Sequence, residues 1–180
     1  MTVYIALLRG VNVGGNNRLP MKDWRGRLEA SGFGRVRTYI QSGNAVVESE
    51  LPSEEVAGRI SADIEAHFGF APVCHVLERE RLQRALTDCP YRPQGEDAHK
   101  QVHVFFIKGD VTRYDAEGLS ALATQGEAFS MQGGVFYLYT PEGFGKSVVA
   151  EKLTRFLKAE MTARNLRTLE ALIEMAGEAT

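Results

Sequence analysis

Apolar positions in residues 1–78 alternate between runs of strand length and positions at helical spacing. Met21, Trp24 and Leu28 recur at the spacing of an amphipathic helix, and Val56, Ile60, Ile64 and Phe68 keep a four-residue spacing after Pro52. Short apolar or alternating runs bounded by turn residues predict strands. These segments predict strands at Val3–Leu8, Val36–Gln41, Ala45–Glu48 and Pro72–Leu77, with the two helices after the first and third strands.

The order strand, helix, strand, strand, helix, strand is that of the ferredoxin-like split unit. Such a unit packs two helices on one face of a four-stranded antiparallel sheet. Ser42-Gly43-Asn44 supplies the short turn of a hairpin between the second and third strands. Residues 1–78 therefore predict one ferredoxin-like subdomain.

A second unit is predicted after a connecting helix and a linker with two prolines, residues 79–100. Residues 101–180 predict a strand at Val102–Ile107, a helix at Ala116–Ala123, a hairpin of Glu127–Met131 with Val135–Tyr139, and helices at Lys146–Met161 and Ala163–Met175. A helix thus takes the place of a final strand. The predicted fold class is α+β, with two ferredoxin-like subdomains in the orders βαββαβ and βαββα plus a C-terminal helix.

Polar residues and glycines follow the first predicted strand directly. Arg9–Arg18 contains Gly10, Gly14 and Gly15, which can turn backbone N–H groups toward one point. The Arg9 guanidinium can donate two parallel hydrogen bonds to an anion, and Asn12 and Asn16 can supply further donors. We expect an anion site here, and the alternative is an asparagine-capped turn that only reverses the chain.

The position of the hairpin Gln41–Asn44 relative to this loop depends on strand direction. The first and third strands are expected to be adjacent and parallel, which places Arg9 and Ser42 at opposite ends of the sheet. On that expectation Gln41 and Asn44 serve only their own turn.

Two further segments carry candidate ligand-binding residues. Gly143–Ser147 follows a strand and opens a helix, but Thr140 stands where a P-loop needs glycine, so Lys146 and Ser147 predict an anion site without nucleotide hydrolysis. Thr162 suits a helix N-cap, which leaves Arg164 and Asn165 unexplained. If Arg164 converged on the opening loop, both subdomains would share one pocket.

The overall charge argues against nucleic-acid binding by a basic surface that extends over the whole molecule. The net charge is -2 and the pI about 6.1. Residues 1–40 nevertheless carry seven Lys or Arg against two acidic residues, whereas residues 41–70 carry one against six. The basic segment favours an anionic partner, or else forms an ordinary solvated face.

Other classes of site lack their residue patterns. The four histidines and two cysteines show no metal-ligand spacing, no catalytic triad can be assembled, and no cofactor motif is present. Ala45–Glu48 lacks the aromatic residues of an RNA-recognition sheet. No apolar run has membrane-spanning length, and cysteine use fits a cytoplasmic protein.

The chain resembles a bacterial family known as domain of unknown function 1697. The residues that carry the resemblance are Tyr4–Gly15, Pro20-Met21, Val36–Asn44 and Thr162–Asn165. Leu166 stands where the family tends to have Trp, and Gly143–Val149 lacks one basic residue of the family's corresponding stretch. The resemblance implies two ferredoxin-like subdomains and no reaction.

These observations favour a cytoplasmic protein that binds a small phosphorylated or nucleotide-like anion between its subdomains. The expected ligand-binding residues are Arg9, Asn12, Gly14, Gly15, Asn16, Lys146, Ser147, Arg164 and Asn165. The alternatives are a nucleic-acid-binding module that uses the basic N-terminal segment, and a scaffold that self-associates through its sheets. The sequence names no catalytic residue and leaves turnover and oligomeric state open.

Overall fold

A computed structural model of the protein describes residues 1–124 and 126–178, which form eight strands and six α-helices. In chain order these elements are β1 (Thr2–Leu8), α1 (Met21–Ala30), β2 (Gly34–Tyr39), β3 (Asn44–Ser49), α2 (Ser53–Phe68), β4 (Cys74–Glu78), α3 (Arg79–Asp88), β5 (Val102–Tyr114), α4 (Ala116–Ser120), β6 (Ala128–Gln132), β7 (Val135–Tyr139), α5 (Val148–Phe156), β8 (Leu157–Asn165) and α6 (Leu166–Gly177).

The chain divides into two compact units. Unit 1 consists of Met1–Arg84 together with the chain from Glu170 onward, and unit 2 consists of Ala85–Leu169. Each unit holds one four-stranded antiparallel sheet, with the strand orders β2-β3-β1-β4 and β6-β7-β5-β8. The predicted α+β class with two ferredoxin-like subdomains is confirmed.

The core of unit 1 lies between its sheet and the helices α1 and α2. Tyr4, Ala6 and Leu8 alternate along β1 and join this core, as the two-residue period of a strand requires. Trp24 of α1 is 1% exposed, and Ile60 of α2 is fully buried. The apolar spacing of the two helices therefore marks the faces that pack on the sheet.

Unit 2 contains a final strand that the sequence analysis places inside a helix. The predicted helix Lys146–Met161 is wrong beyond Phe156, where α5 ends and β8 begins. Thr162 lies in β8, so its predicted role as a helix N-cap is also wrong, and the last helix begins at Leu166. Unit 2 therefore has the complete order βαββαβ.

β8 is a strand because it pairs along one side of β5. Phe105 pairs with Ala163 and Ile107 with Met161, and all four side chains belong to the apolar cluster under α4 and α5 or pack against it. β5 itself continues to Tyr114, past its predicted end at Ile107. A strand of this length requires a partner for its backbone groups, which Leu157–Asn165 supplies.

Candidate functional site

Antiparallel pairing of β1 with β3 brings the opening loop and the first hairpin tip together. Leu7 pairs with Asn44, and the Leu8 N–H donates to the Gly43 carbonyl at 2.8 Å. The expectation that Arg9 and Ser42 lie at opposite ends of the sheet is therefore wrong. The helical crossover makes β1 parallel to β2, and the hairpin then reverses β3, so the end of β1 meets the start of β3.

The opening loop is itself a small hairpin. The Asn16 N–H donates to the Val13 carbonyl at 3.0 Å, and the Asn12 N–H donates to the Asn17 carbonyl at 3.1 Å. Gly14 and Gly15 occupy the turn with φ angles of 57° and 78°, as a type I′ turn requires. The positive φ angles of this turn thus explain both glycines. The N–H groups of Asn12 and Asn16 already donate hydrogen bonds within the loop.

The Asn12 side chain fastens the base of this loop. Its Oδ1 accepts from the Leu19 N–H at 2.8 Å, and its Nδ2 donates to the Leu19 carbonyl at 2.9 Å and to the Gln41 carbonyl at 2.7 Å. The third bond reaches the β2–β3 hairpin. Asn12 therefore holds the loop against the tip, and its amide is occupied by protein groups.

Gly43 allows the two segments to approach closely. Its φ is +81°, and a Cβ atom there would lie 2.6 Å from Val11 Cγ2 and 2.8 Å from Leu8 Cβ. Asn44 is buried, and its Nδ2 donates to the Tyr39 carbonyl and to Ser42 Oγ. We refer to residues 9–18 and 40–44 as the loop–tip surface.

Several donors of the loop–tip surface lack protein partners. Within residues 1–124 and 126–178, the N–H groups of Gly14 and Gly15 make no hydrogen bond, and the guanidinium groups of Arg9 and Arg18 make no hydrogen bond or ion pair. All four residues are exposed. The surface therefore offers neutral and charged donors to solvent.

Apolar side chains are exposed beside these donors. Val13 is 64% exposed and Ile40 is 51% exposed. Ile40 also has a φ of 46°, which is a rare backbone conformation for a β-branched residue. The loop–tip surface thus combines exposed apolar groups with a strained backbone position.

Most of the remaining basic residues of the N-terminal segment are paired. Arg25 pairs with Glu29 at 2.9 Å, and Arg27 binds Asp63 through two nitrogens at 2.5 and 3.2 Å. Arg35 and Arg37 both donate to Glu178, one to its carbonyl and one to its carboxylate. The unpaired cations of residues 1–40 in the described structure are thus Arg9, Arg18 and Lys22.

The Arg27–Asp63 pair joins α1 to α2 rather than serving a ligand. The hydrogen bond from Arg27 lowers the pKa of Asp63 below its ordinary value, against an opposing effect of burial. Ser31 Oγ lies 3.4 Å from the same carboxylate. The carboxylate of Asp63 is therefore occupied by two neighbours on the α1 side.

The candidate residues of unit 2 have local structural partners. Ser147 Oγ accepts from the Ala150 N–H at 3.1 Å and so caps α5, while Lys146 is exposed in the 3₁₀ turn Phe144–Lys146. Asn165 Oδ1 accepts from the Thr168 N–H at 2.9 Å at the start of α6. The capping role expected of Thr162 thus belongs to Asn165.

Arg164 and Asn165 lie on opposite faces of the unit 2 sheet. In β8, Asn165 pairs with His103 and Arg164 with Val104, and successive strand residues point to opposite faces. Arg164 is buried, and its Nη1 donates to Thr162 Oγ1 at 2.9 Å and to the Ala163 carbonyl at 2.8 Å. That both units contribute to one pocket stays a prediction.

His103 is a neutral, mostly buried histidine on β5. Its ring centroid lies 4.0 Å from that of Phe144, and its Nδ1 has no hydrogen-bond partner among the described residues. Burial lowers its pKa to about 4. His103 is thus an uncharged member of the unit 2 core at neutral pH.

Other features bear on the class of protein. Cys74 and Cys89 are buried, and neither forms a disulfide bond within the described chain. Within the described residues, no three His, Cys, Asp or Glu side chains are grouped to hold a metal ion. No α-helix in that part of the chain has the length and apolar character needed to cross a membrane.

The fold and the loop–tip surface define an α+β protein of two ferredoxin-like units, each with an antiparallel four-stranded sheet. The sequence profile of a family described as "Protein of unknown function (DUF1697)" matches residues 1–137. The chain belongs to this family, as its motifs predict.

A solved structure supports the same fold. The conserved bacterial protein SP0830 from Streptococcus pneumoniae is similar to this chain with a TM-score of 0.69 and 23% sequence identity. The similarity covers 97% of this chain and 98% of that one. A search of curated proteins finds no match.

Proposed function

We propose that the chain is a cytoplasmic protein that binds a small phosphorylated or nucleotide-like anion at the loop–tip surface. The observation that carries the proposal is the set of unpartnered donors on one exposed loop: the Gly14 and Gly15 N–H groups and the Arg9 and Arg18 guanidiniums. Successive N–H groups in a turn form an anion-binding concavity, and guanidinium groups add charge-assisted hydrogen bonds.

The rigidity of this loop supports a binding role. Asn12 ties the loop to Leu19 and Gln41, so its donors are held in place before a ligand arrives. A preorganised site loses less conformational entropy on binding than a flexible one. The same bonds mean that Asn12 and Asn16 act as supports in this proposal, and Arg9, Arg18, Gly14 and Gly15 as ligand contacts.

The strained backbone at Ile40 is a second support. A β-branched residue at positive φ costs roughly 1–3 kcal/mol, and such strain concentrates at functional sites. Ile40 keeps this conformation with an exposed side chain, so no burial of that side chain offsets the cost. The strained position adjoins the proposed anion contacts through the Asn12–Gln41 bond.

The proposal is tested by isothermal titration of inorganic phosphate, pyrophosphate and a nucleoside diphosphate into the wild-type chain and charge variants. Arg9→Gln and Arg18→Gln should each weaken binding by roughly tenfold or more, since a charged hydrogen bond contributes about 1.5–3 kcal/mol. Arg25→Gln is the matched control, because Arg25 pairs with Glu29 on α1. Equal affinity in all four proteins would overturn the proposal.

Ion pairs within the fold leave fewer cations for the nucleic-acid alternative than the sequence suggests. Four of the seven basic residues in the N-terminal segment have partners within unit 1, which leaves three cations. Three phosphate contacts give a salt dependence of at most about 3 in log–log slope. Oligonucleotide binding with a much steeper slope would favour this alternative over a small ligand.

A further inference from the structure

The strand β6 forms one edge of the unit 2 sheet and lacks the features that protect such edges. Natural edge strands are kept from pairing with other chains by charged side chains, proline or bulges. β6 has the sequence Ala-Phe-Ser-Met-Gln, without charge or proline, and pairs with β7 without a register shift. The edge strands β2, β4 and β8 all carry charged residues, and β2 also contains a register shift. Among the four sheet edges that the structure describes, β6 is therefore the one open to pairing.

The hairpin turn determines which backbone groups of β6 point away from β7. Gly133-Gly134 forms a two-residue turn with φ angles of 58° and 71°, as a type I′ turn requires. The flanking residues Gln132 and Val135 are then a hydrogen-bonded pair, and such pairs alternate along the ladder. The N–H and C=O groups of Phe129 and Met131 therefore point outward. They make no hydrogen bond within residues 1–124 and 126–178.

Apolar side chains lie beside these outward backbone groups. Phe129 and Met131 point toward the apolar cluster under α4 and α5, and the Phe129 ring stacks on Phe136 with centroids 5.7 Å apart. Both side chains remain partly exposed at the edge of the sheet. A strand added at this edge would thus satisfy the backbone groups and cover the remaining apolar surface.

We propose that β6 pairs antiparallel with β6 of a second copy of this chain, about a two-fold axis at Ser130. Phe129 then lies opposite Met131 of the second copy, and each of these two equivalent pairs exchanges two backbone hydrogen bonds. The ring of one copy contacts the thioether of the other, which is a favourable contact.

The pattern of β6 favours a second copy as the occupant of this edge. The outward residues Phe129 and Met131 lie symmetrically on either side of Ser130, as a two-fold axis requires, and the pairing brings no like charges together. The contact is small, so the association is expected to be weak and dependent on concentration. The proposal concerns unit 2 alone and is independent of the anion site at the loop–tip surface.

Sedimentation velocity over a range of protein concentrations tests the association. The wild-type chain should shift from monomer toward dimer as its concentration rises. Ser130→Lys places two like charges directly opposite each other and should weaken the dimer by roughly tenfold or more. Val111→Lys is the matched control, because Val111 is an exposed residue of β5 outside its paired positions. A monomeric wild-type chain up to sub-millimolar concentration, or equal weakening by both variants, overturns the proposal.

A cysteine at the two-fold axis tests the register without adding a charge. Ser130 of each copy would form a non-hydrogen-bonded pair, in which the two Cα atoms lie about 4.5 Å apart, within the range of a disulfide bond. Ser130→Cys should therefore form a covalent dimer when treated with oxidised glutathione, and Val111→Cys should form much less. Both variants retain Cys74 and Cys89, so these thiols are matched between them. Absence of the Ser130→Cys dimer, or equal cross-linking of both variants, overturns the pairing.

Discussion

The His103 ring is uncharged in the folded protein, and this makes the stability of unit 2 depend on pH. Its folded pKa is about 4, lowered by burial from an ordinary value of 6.5. At pH values between these two pKa values, the His103 ring is protonated in the unfolded chain and neutral in the folded chain. Stability is therefore full above about pH 6.5 and falls as pH decreases toward about 4, by up to about 3 kcal/mol.

Replacement of His103 by Phe should flatten this part of the pH profile. The measurement is the free energy of urea unfolding between about pH 4 and 6.5. Phe129→Leu is the control, because it alters the same unit 2 core without removing a titrating group. The titration of Asp63 does not interfere with this measurement, because its lowered pKa moves its contribution to the free energy of unfolding to more acid pH. An unchanged slope in His103→Phe would contradict the assigned burial effect.

At the scale of elements, Gly43 tests how closely the β2–β3 tip approaches β1. Gly43→Ala should lower the free energy of unfolding by roughly 2–4 kcal/mol, because it adds both a positive-φ cost and a clash with Val11 and Leu8. Gly10→Ala is the matched control: its φ is +70° and open space surrounds the new methyl group. That control should lose only about 1–2 kcal/mol.

Urea unfolding of the two variants separates these costs. Equal losses in Gly43→Ala and Gly10→Ala would mean that the tip does not contact β1 in solution. A larger loss in Gly43→Ala supports the close approach on which the loop–tip surface depends.

The sequence predicts most elements because turn residues separate them, and it fails where such residues are missing. Residues 148–165 contain no Gly or Pro, and Leu153, Leu157 and Met161 continue the four-residue spacing of α5. The same residues also fit a two-residue period through Leu157, Met161 and Ala163. Only pairing with the distant strand β5 decides between the two periods, and local pattern carries no information on that pairing.

The candidate site shows a different kind of error. The sequence identifies Arg9, Gly14 and Gly15 as an exposed loop, but the parallel direction assigned to β1 and β3 separates that loop from Gly43. The mistake concerns strand direction, which the hairpin and crossover rules determine, and not residue pattern.

At the scale of the whole molecule, unit 1 is completed by the C-terminal segment. Arg79 Nε donates to the Ile173 carbonyl at 3.0 Å, and Arg37 pairs with Glu178. Both partners of each bond belong to unit 1 although they are far apart in the chain. Unit 1 is therefore built from two segments that are far apart in the sequence.

A chain that ends at Leu169 should have a destabilised unit 1. We expect hydrogen exchange in β1 and β3 to accelerate by roughly tenfold or more, equivalent to a loss of about 1.4 kcal/mol, because the segment from Glu170 onward is removed. Glu178→Gln is the smaller control and should cost at most about 1 kcal/mol, since both side chains of its ion pair are exposed. Unchanged exchange in the shortened chain would contradict the assignment of this segment to unit 1.

Burial of Trp24 in the unit 1 core has a practical consequence for such experiments. The chain contains one tryptophan, so indole fluorescence reports on the surroundings of α1 in the unit 1 core. Far-ultraviolet circular dichroism responds to the backbones of both units. Recorded together in one denaturant titration, the two optical signals coincide if the units unfold as one and diverge if either melts first.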